Sequence, residues 1–233
     1  MSKQMNNPNL STKSVEVVQR ILSKNDQEAQ KLRERFLASR TYAINFMSSP
    51  GSGKTTLLEQ MARLGEISFS VIEGDLETNR DAKRLNDAGI KAFQITTGEA
   101  CHLEAAMITR ALSELEWQSE DFLMIENVGN LVCPASYDLG CMMNIVLLSV
   151  PEGDDKVLKY PSMFLCADAV VITKSDMTDY FGFRTDRVKE DLLELNKRIA
   201  LFQTSSKDSE SIRRFVRFLH EQKERGYVSS HTF

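Results

Sequence analysis

The residues with the plainest chemistry lie between Ser48 and Thr56, in the run SSPGSGKTT. Glycines spaced as Gly51 and Gly53 let a backbone come close to an anion, and successive N–H groups ahead of a helix face the oxygens of a polyphosphate. Lys54 reaches the β- and γ-phosphates and Thr55 ligates Mg²⁺, with Pro50, Ser52 and Thr56 completing the loop. The first glycine of the G-x-x-x-x-G-K-[ST] spacing is Ser48 here. Gly-Lys-Thr alone is a common match. The apolar run YAINFM before it and a helix-forming run after it supply the required context, which makes a ligand-free glycine turn the weaker reading.

Carboxylates with matching tasks follow along the chain. Guanine offers two donors, N1–H and the N2 amine, to one carboxylate, and Asp176 in VVITKSDM follows a late apolar run where such a group is needed. The Asn-Lys-x-Asp of guanine-specific GTPases is similar to Thr173-Lys174-Ser175-Asp176, with Thr173 the departure, and Ser205-Ser206-Lys207 resembles their Ser-Ala-Lys loop. A polar turn with no ligand is the alternative. Glu126 and Gly129 in ENVG resemble the GTPase Asp-x-x-Gly, which places Glu126 on Mg²⁺ or its water and Gly129 against the γ-phosphate. Asp75 in VIEGDLETNRD is the candidate for organising Mg²⁺ or orienting the attacking water, with Glu73 and Glu77 as competitors. Lys54, Asp75 and Glu126 are thus the catalytic candidates.

Cys101, His102 and Cys133 form the third group. Thiolate and imidazole suit Ni²⁺ or Zn²⁺, and three protein ligands leave a site incomplete. By spacing alone, buried cysteines and a satisfied histidine are the favoured reading. There is no C-x-x-C, and Cys141 and Cys166 have no assigned role.

These residues need elements to hold them. Apolar positions at helical spacing predict a leading helix over 14–39, N-capped by Ser14 and burying Val18, Ile21, Leu22, Ala29, Leu32 and Phe36, after a polar, disordered tail 1–13. Strands follow over 42–47, 67–72, 90–95, 122–125, 144–150, 169–173 and 199–202. Helices are predicted over 54–64, 79–87, 103–115, 187–195 and 209–224. The alternation implies an α/β fold in three layers, a mainly parallel sheet flanked by helices, as one P-loop domain over 14–233.

The 233 residues carry 29 Lys and Arg against 33 Asp and Glu, a net charge of −4 that provides no footprint for nucleic acid or an anionic membrane. Apolar runs such as 145–150 fall far short of a membrane span, and the first residues lack the apolar core of a signal peptide, so a cytoplasmic protein is expected.

Five segments together, SSPGSGKTTLLE, VIEGDLET, TGEACHLEAAMI, IENVGNLVCPASYDLG and LLSVPEGDDKVLKYP, closely resemble the HypB GTPases that assist nickel insertion into [NiFe]-hydrogenase. The similarity runs from about residue 41 to residue 218, and the related urease chaperone UreG does not carry ENVGNLVCPAS. The resemblance implies a P-loop GTPase, expected to be slow, that dimerises with GTP bound and holds Ni²⁺, with Zn²⁺ possible, at Cys101, His102 and Cys133. It implies work with hydrogenase maturation proteins such as HypA and with the hydrogenase large subunit. It also implies that Lys156, or else Lys159, reaches the neighbouring subunit's nucleotide. No Cys or His precedes Cys101, so the N-terminal metal segment of many relatives is expected to be absent. Competing readings are a metal- or partner-binding module with a structural nucleotide site, an ATP-dependent small-molecule kinase, and a nickel chaperone serving urease.

Overall fold

The computed structural model describes residues 12–76 and 80–229. Seven strands form one sheet: β1 (Tyr42–Ser48), β2 (Phe69–Asp75), β3 (Ala92–Thr96), β4 (Phe122–Glu126), β5 (Met143–Ser149), β6 (Ala169–Thr173) and β7 (Ala200–Gln203). They lie in the order β3-β2-β4-β1-β5-β6-β7, and every neighbouring pair is parallel. Central strands read as continuous apolar runs because both faces are covered, and β1, β4 and β6 are buried throughout, whereas the edge strands β3 and β7 are half-exposed.

The helices are α1 (Thr12–Ser39), α2 (Lys54–Leu64), α3 (Arg80–Asp87), α4 (Ala105–Ala111), α5 (Lys156–Lys159), α6 (Pro161–Leu165), α7 (Thr178–Phe181), α8 (Thr185–Leu195) and α9 (Ser209–Ser229). One sheet face packs on α2 and α9 through Leu58, Met61, Phe215 and Leu219. The other face has two clusters, one with α1 and α4 through Leu32, Phe36 and Ile108, the other with α6 and α8 through Phe164, Val188 and Leu192. Among the described residues no helix is long and apolar enough to cross a membrane.

Several expected boundaries shift. Residues 1–11 of the expected tail lie outside the described residues, but Thr12 and Lys13 already belong to α1, so Ser14 is not its first residue. Ala29, Leu32 and Phe36 are buried as expected, whereas Val18 and Ile21 are 49% and 46% exposed, because the first part of α1 extends past the sheet's cover. β2 continues through Glu73-Gly74-Asp75, since ladder pairing with β3 and β4 carries the acidic segment to the sheet's C-terminal edge. α4 is shorter than expected because Leu103 and Glu104 enter it extended. Asn79, the expected start of α3, and Glu77 lie outside the described residues. The short helices α5, α6 and α7 contain four or five residues each, too few to show a helical period.

Candidate functional site

The C-terminal ends of parallel strands are where an open α/β sheet receives a ligand. There β1 hands over to the loop before α2, in which Gly51 and Gly53 take left-handed φ values of 73° and 96°. The N–H groups at the start of α2 thereby face a cleft of about 420 Å³, within the usual size of a small-molecule site. Pro50, Gly51, Gly53, Lys54, Thr55 and Thr56 line it on one side and Glu73, Asp75, Glu126 and Gly129 on the other. Lys54 is 8% exposed, and its Nζ donates to Ser48 Oγ at 2.9 Å. The Ser52 hydroxyl donates to the same oxygen. Ser48, the departure from glycine, is therefore the acceptor beneath the loop. Ser49 ties the loop outward by donating to Glu152, which also accepts from Ser149 N at 2.9 Å.

Two carboxylates meet under the cleft because Glu73 of β2 and Glu126 of β4 are register partners. Thr55 Oγ1 donates to Glu126 Oε1 at 2.8 Å, while Glu126 Oε2 is buried with no hydrogen-bond partner. Burial raises the Glu126 pKa, opposed by Lys54 and Thr55. Glu73, 3% exposed, is pushed up to about 8 by burial first and then by Glu126 and Asp75. A threonine hydroxyl beside an unpaired buried carboxylate oxygen, with Asp75 at the same cleft, is an all-oxygen donor set that fits Mg²⁺. Gly129 sits directly on the loop: a Cβ there would come within 2.9 Å of Pro50 Cα and N.

After β6, Thr173 Oγ1 donates to Ser52 O at 2.5 Å and Lys174 Nζ to Gly51 O at 2.8 Å, so this segment is laced to the loop before α2. A cavity of about 120 Å³ between Thr56, Gln60, Thr173, Lys174, Thr204 and Ser206 adjoins it. Asp176 accepts from Ser205 Oγ at 2.7 Å and pairs with Lys207 Nζ at 2.7 Å, and these contacts hold its carboxyl below the usual range. Thr173 spends its hydroxyl on the loop backbone rather than offering it to a base.

Cys101, His102 and Cys133 converge although they are 32 residues apart at the extremes: their ligand atoms lie within 4.8 Å of one another and all three are half-buried. Cys101 Sγ donates to Cys133 Sγ at 2.9 Å, and that bond is the main cause of the raised Cys133 pKa. His102 Nδ1 lies 3.9 Å from Cys101 Sγ. The ring stacks on Tyr137 at 3.8 Å between centroids, with Nε2 3.8 Å from Glu104 Oε1. Burial lowers the His102 pKa against the pull of Glu104, favouring the neutral imidazole that binds metal. Soft sulfur with imidazole suits Ni²⁺ or Zn²⁺, and three ligands leave a coordination position open. Cys141 and Cys166 stand apart, their thiols raised by burial.

Lys156 and Lys159 are outside the cleft. Lys156 Nζ lies over the Tyr160 ring, and Lys159 pairs with Asp155 at 2.5 Å. Sequence reasoning missed Asn25, Asn45, Glu104, Asn127, Tyr137 and Glu152. Asn45 carried a readable signal, as the one amide inside the apolar run YAINFM.

The family model for the CobW/HypB/UreG nucleotide-binding domain matches residues 42–203. A hydrogenase/urease maturation factor HypB from Helicobacter hepaticus is 58% identical over 232 residues, covering 98% of this chain and 96% of that protein. A hydrogenase maturation factor HypB from Escherichia coli K12 is 42% identical, over 87% of this chain and 71% of its own. The crystal structure of HypB from Helicobacter pylori in complex with nickel superposes with a TM-score of 0.86 at 58% identity, covering 90% of this chain and 100% of that one.

Proposed function

The chain belongs to the CobW/HypB/UreG family, among its HypB maturation factors, and from that premise we propose that it is a GTP-hydrolysing metallochaperone switch that carries Ni²⁺ and assists its insertion into [NiFe]-hydrogenase. In this reading Asp176 accepts from guanine N1–H and the N2 amine, with Lys174 across the ring and Ser205, Ser206 and Lys207 supporting the base. The loop from Pro50 to Thr56 holds the phosphates. Lys54 offsets charge on the β- and γ-oxygens, and Gly129 lets backbone approach the γ-phosphate. Thr55, Asp75 and Glu126 hold Mg²⁺, which when bound neutralises phosphate charge. Asp75 also orients the attacking water, and hydrolysis yields GDP and phosphate slowly.

Ni²⁺ is the cargo, taken by Cys101, His102 and Cys133, and Zn²⁺ suits the same ligands. The open coordination position is closed by a second copy of the chain in a GTP-dependent homodimer. Lys156 is then the lysine that reaches the neighbouring nucleotide, because Lys159 is committed to Asp155. HypA and the hydrogenase large subunit are the partners, in the cytoplasm.

One observation carries this reading: a single segment bears Gly129 against Pro50 and, four residues on, Cys133 in the thiol–imidazole cluster. Whatever moves that segment at the γ-phosphate acts on a metal ligand, and linkage makes the effect reciprocal. Nickel and zinc titration with GDP and with a GTP analogue, while the size of the species is followed, tests metal, switch and dimer together. Equal Ni²⁺ affinities in both states refute the coupling.

Urease is a second client reading, favoured by the name "hydrogenase/urease maturation factor" of the Helicobacter hepaticus relative. Measuring both enzyme activities in a strain lacking this protein separates the two.

A further inference from the structure

One side chain joins the nucleotide cleft to the thiol–imidazole cluster. Asn127 follows Glu126 at the end of β4 and is 1% exposed. Its backbone N donates to Phe46 O of β1 at 2.9 Å. Its side-chain Nδ2 donates to Asn45 Oδ1 at 3.1 Å, and Asn45 Nδ2 donates to Asn144 Oδ1 at 3.0 Å, so a chain of amides runs from β4 across β1 to β5. Asn127 Oδ1 accepts from Val128 N at 2.9 Å and from Leu103 N at 3.3 Å. Leu103 is the residue after His102. Its side chain also lies on Gly74, where a Cβ would come within 2.8 Å of both methyl groups. The Cys101–His102 arm is thus fastened to the residue after Glu126 and packed on the residue before Asp75.

Asn25 supplies the contrast. It sits on α1, no described residue of which lines the cleft, and is 6% exposed. Its Oδ1 accepts from Ala105 N at 2.9 Å and its Nδ2 donates to Asp138 O at 2.8 Å. It braces the outer ends of both arms of the cluster against an element that, among the described residues, lines no part of the cleft.

We infer that Asn127 is the positioning residue through which nucleotide state reaches the metal cluster, and that Asn25 is a static brace. The inference rests on the nucleotide-coupled function proposed for the chain. A shift of the segment after β4 carries Asn127 Oδ1 with it. The buried Leu103 N–H must then follow or lose its acceptor, and following moves the Cys101–His102 pair relative to Cys133.

The test is Ni²⁺ affinity, by competition with a chromophoric chelator, in GDP·Mg²⁺ and in a non-hydrolysable GTP analogue with Mg²⁺. Allosteric couplings run to about 5- to 150-fold, and a wild-type ratio of about tenfold between the two states is expected. Asn127→Ala, checked to bind nucleotide and Ni²⁺ separately, is expected to bring that ratio within about twofold of one. Asn25→Ala is expected to weaken Ni²⁺ about tenfold in both states and keep the ratio. A wild-type ratio of one refutes the coupled reading and the role of Asn127 with it. A wild-type ratio that survives in Asn127→Ala refutes the role of Asn127 alone. In the unaltered protein, the Leu103 amide resonance is expected to move between the two nucleotide states by more than that of Ala105. An unmoved Leu103 resonance overturns the inference whether or not the variant folds.

Discussion

The cleft at the strand ends and the thiol–imidazole cluster lie close together but are built differently. Lys54, Thr55, Glu73 and Glu126 are all buried and stand at the ends of the sheet's inner strands or in the first turn of α2. Cys101, His102 and Cys133 are half-buried on connecting segments, held by two asparagines and a stacked tyrosine. A site made of central strand ends is set when the sheet forms and resists deformation. One made of loops, with three ligands, changes shape at small cost and leaves room for exchange, which suits a cargo rather than a resident metal.

The sharpest way to break this contrast is Lys54→Ala. In the proposed function it removes charge-assisted contacts to two phosphates, and it is expected to weaken nucleotide binding about a thousandfold by calorimetry, with Ni²⁺ affinity in nucleotide-free protein within about twofold of wild type. A parallel loss of Ni²⁺ would mean that the two regions are one site.

Next comes pH. Glu73 is raised from 4.5 to about 8, chiefly by burial. The folded chain therefore keeps a proton that the unfolded chain releases, so the group's contribution is complete below about pH 4.5 and disappears as pH climbs through about 8. Metal-free protein is expected to lose up to about 5 kcal/mol of stability over that window, and Glu73→Gln to flatten the decline. Melting temperature against pH, in the presence of a chelator, measures both.

Cys101→Ala sharpens the other side of the contrast, with Ni²⁺ affinity expected to fall about a hundredfold and GTP affinity to stay within about threefold. The smallest effect is expected from Gly129→Ala. Its new methyl overlaps Pro50, an overpacking strain of about 1–3 kcal/mol, so affinity for a GTP analogue should drop roughly tenfold in stopped-flow binding. An unchanged affinity would show that the loop yields and that the cleft is no more rigid than the cluster.

Much of the sheet was readable because parallel strands buried on both faces leave continuous apolar runs, as in YAINFM and AVVIT. The acidic end of β2 was not, since Glu73-Gly74-Asp75 has turn composition and is strand only through its pairing with β3 and β4. Nor were Val18 and Ile21 legible as exposed, because helical periodicity reports which face is apolar and not whether anything covers it. At the site, Lys54, Thr55 and Glu126 were nameable from spacing, while cysteine spacing alone favoured a buried core over a metal cluster.

Local order in the chain determines the features that depend on near neighbours: a phosphate loop between strand and helix, a carboxylate at a strand end, an α/β alternation. Contacts between distant segments were decided only in three dimensions. Glu73 and Glu126 become a buried pair by register, Lys207 finds Asp176, and Asn127 meets the amide of Leu103, 24 residues away. The reason is physical. A hydrogen bond between segments depends on strand order and helix packing, which the whole apolar core sets and no short motif encodes.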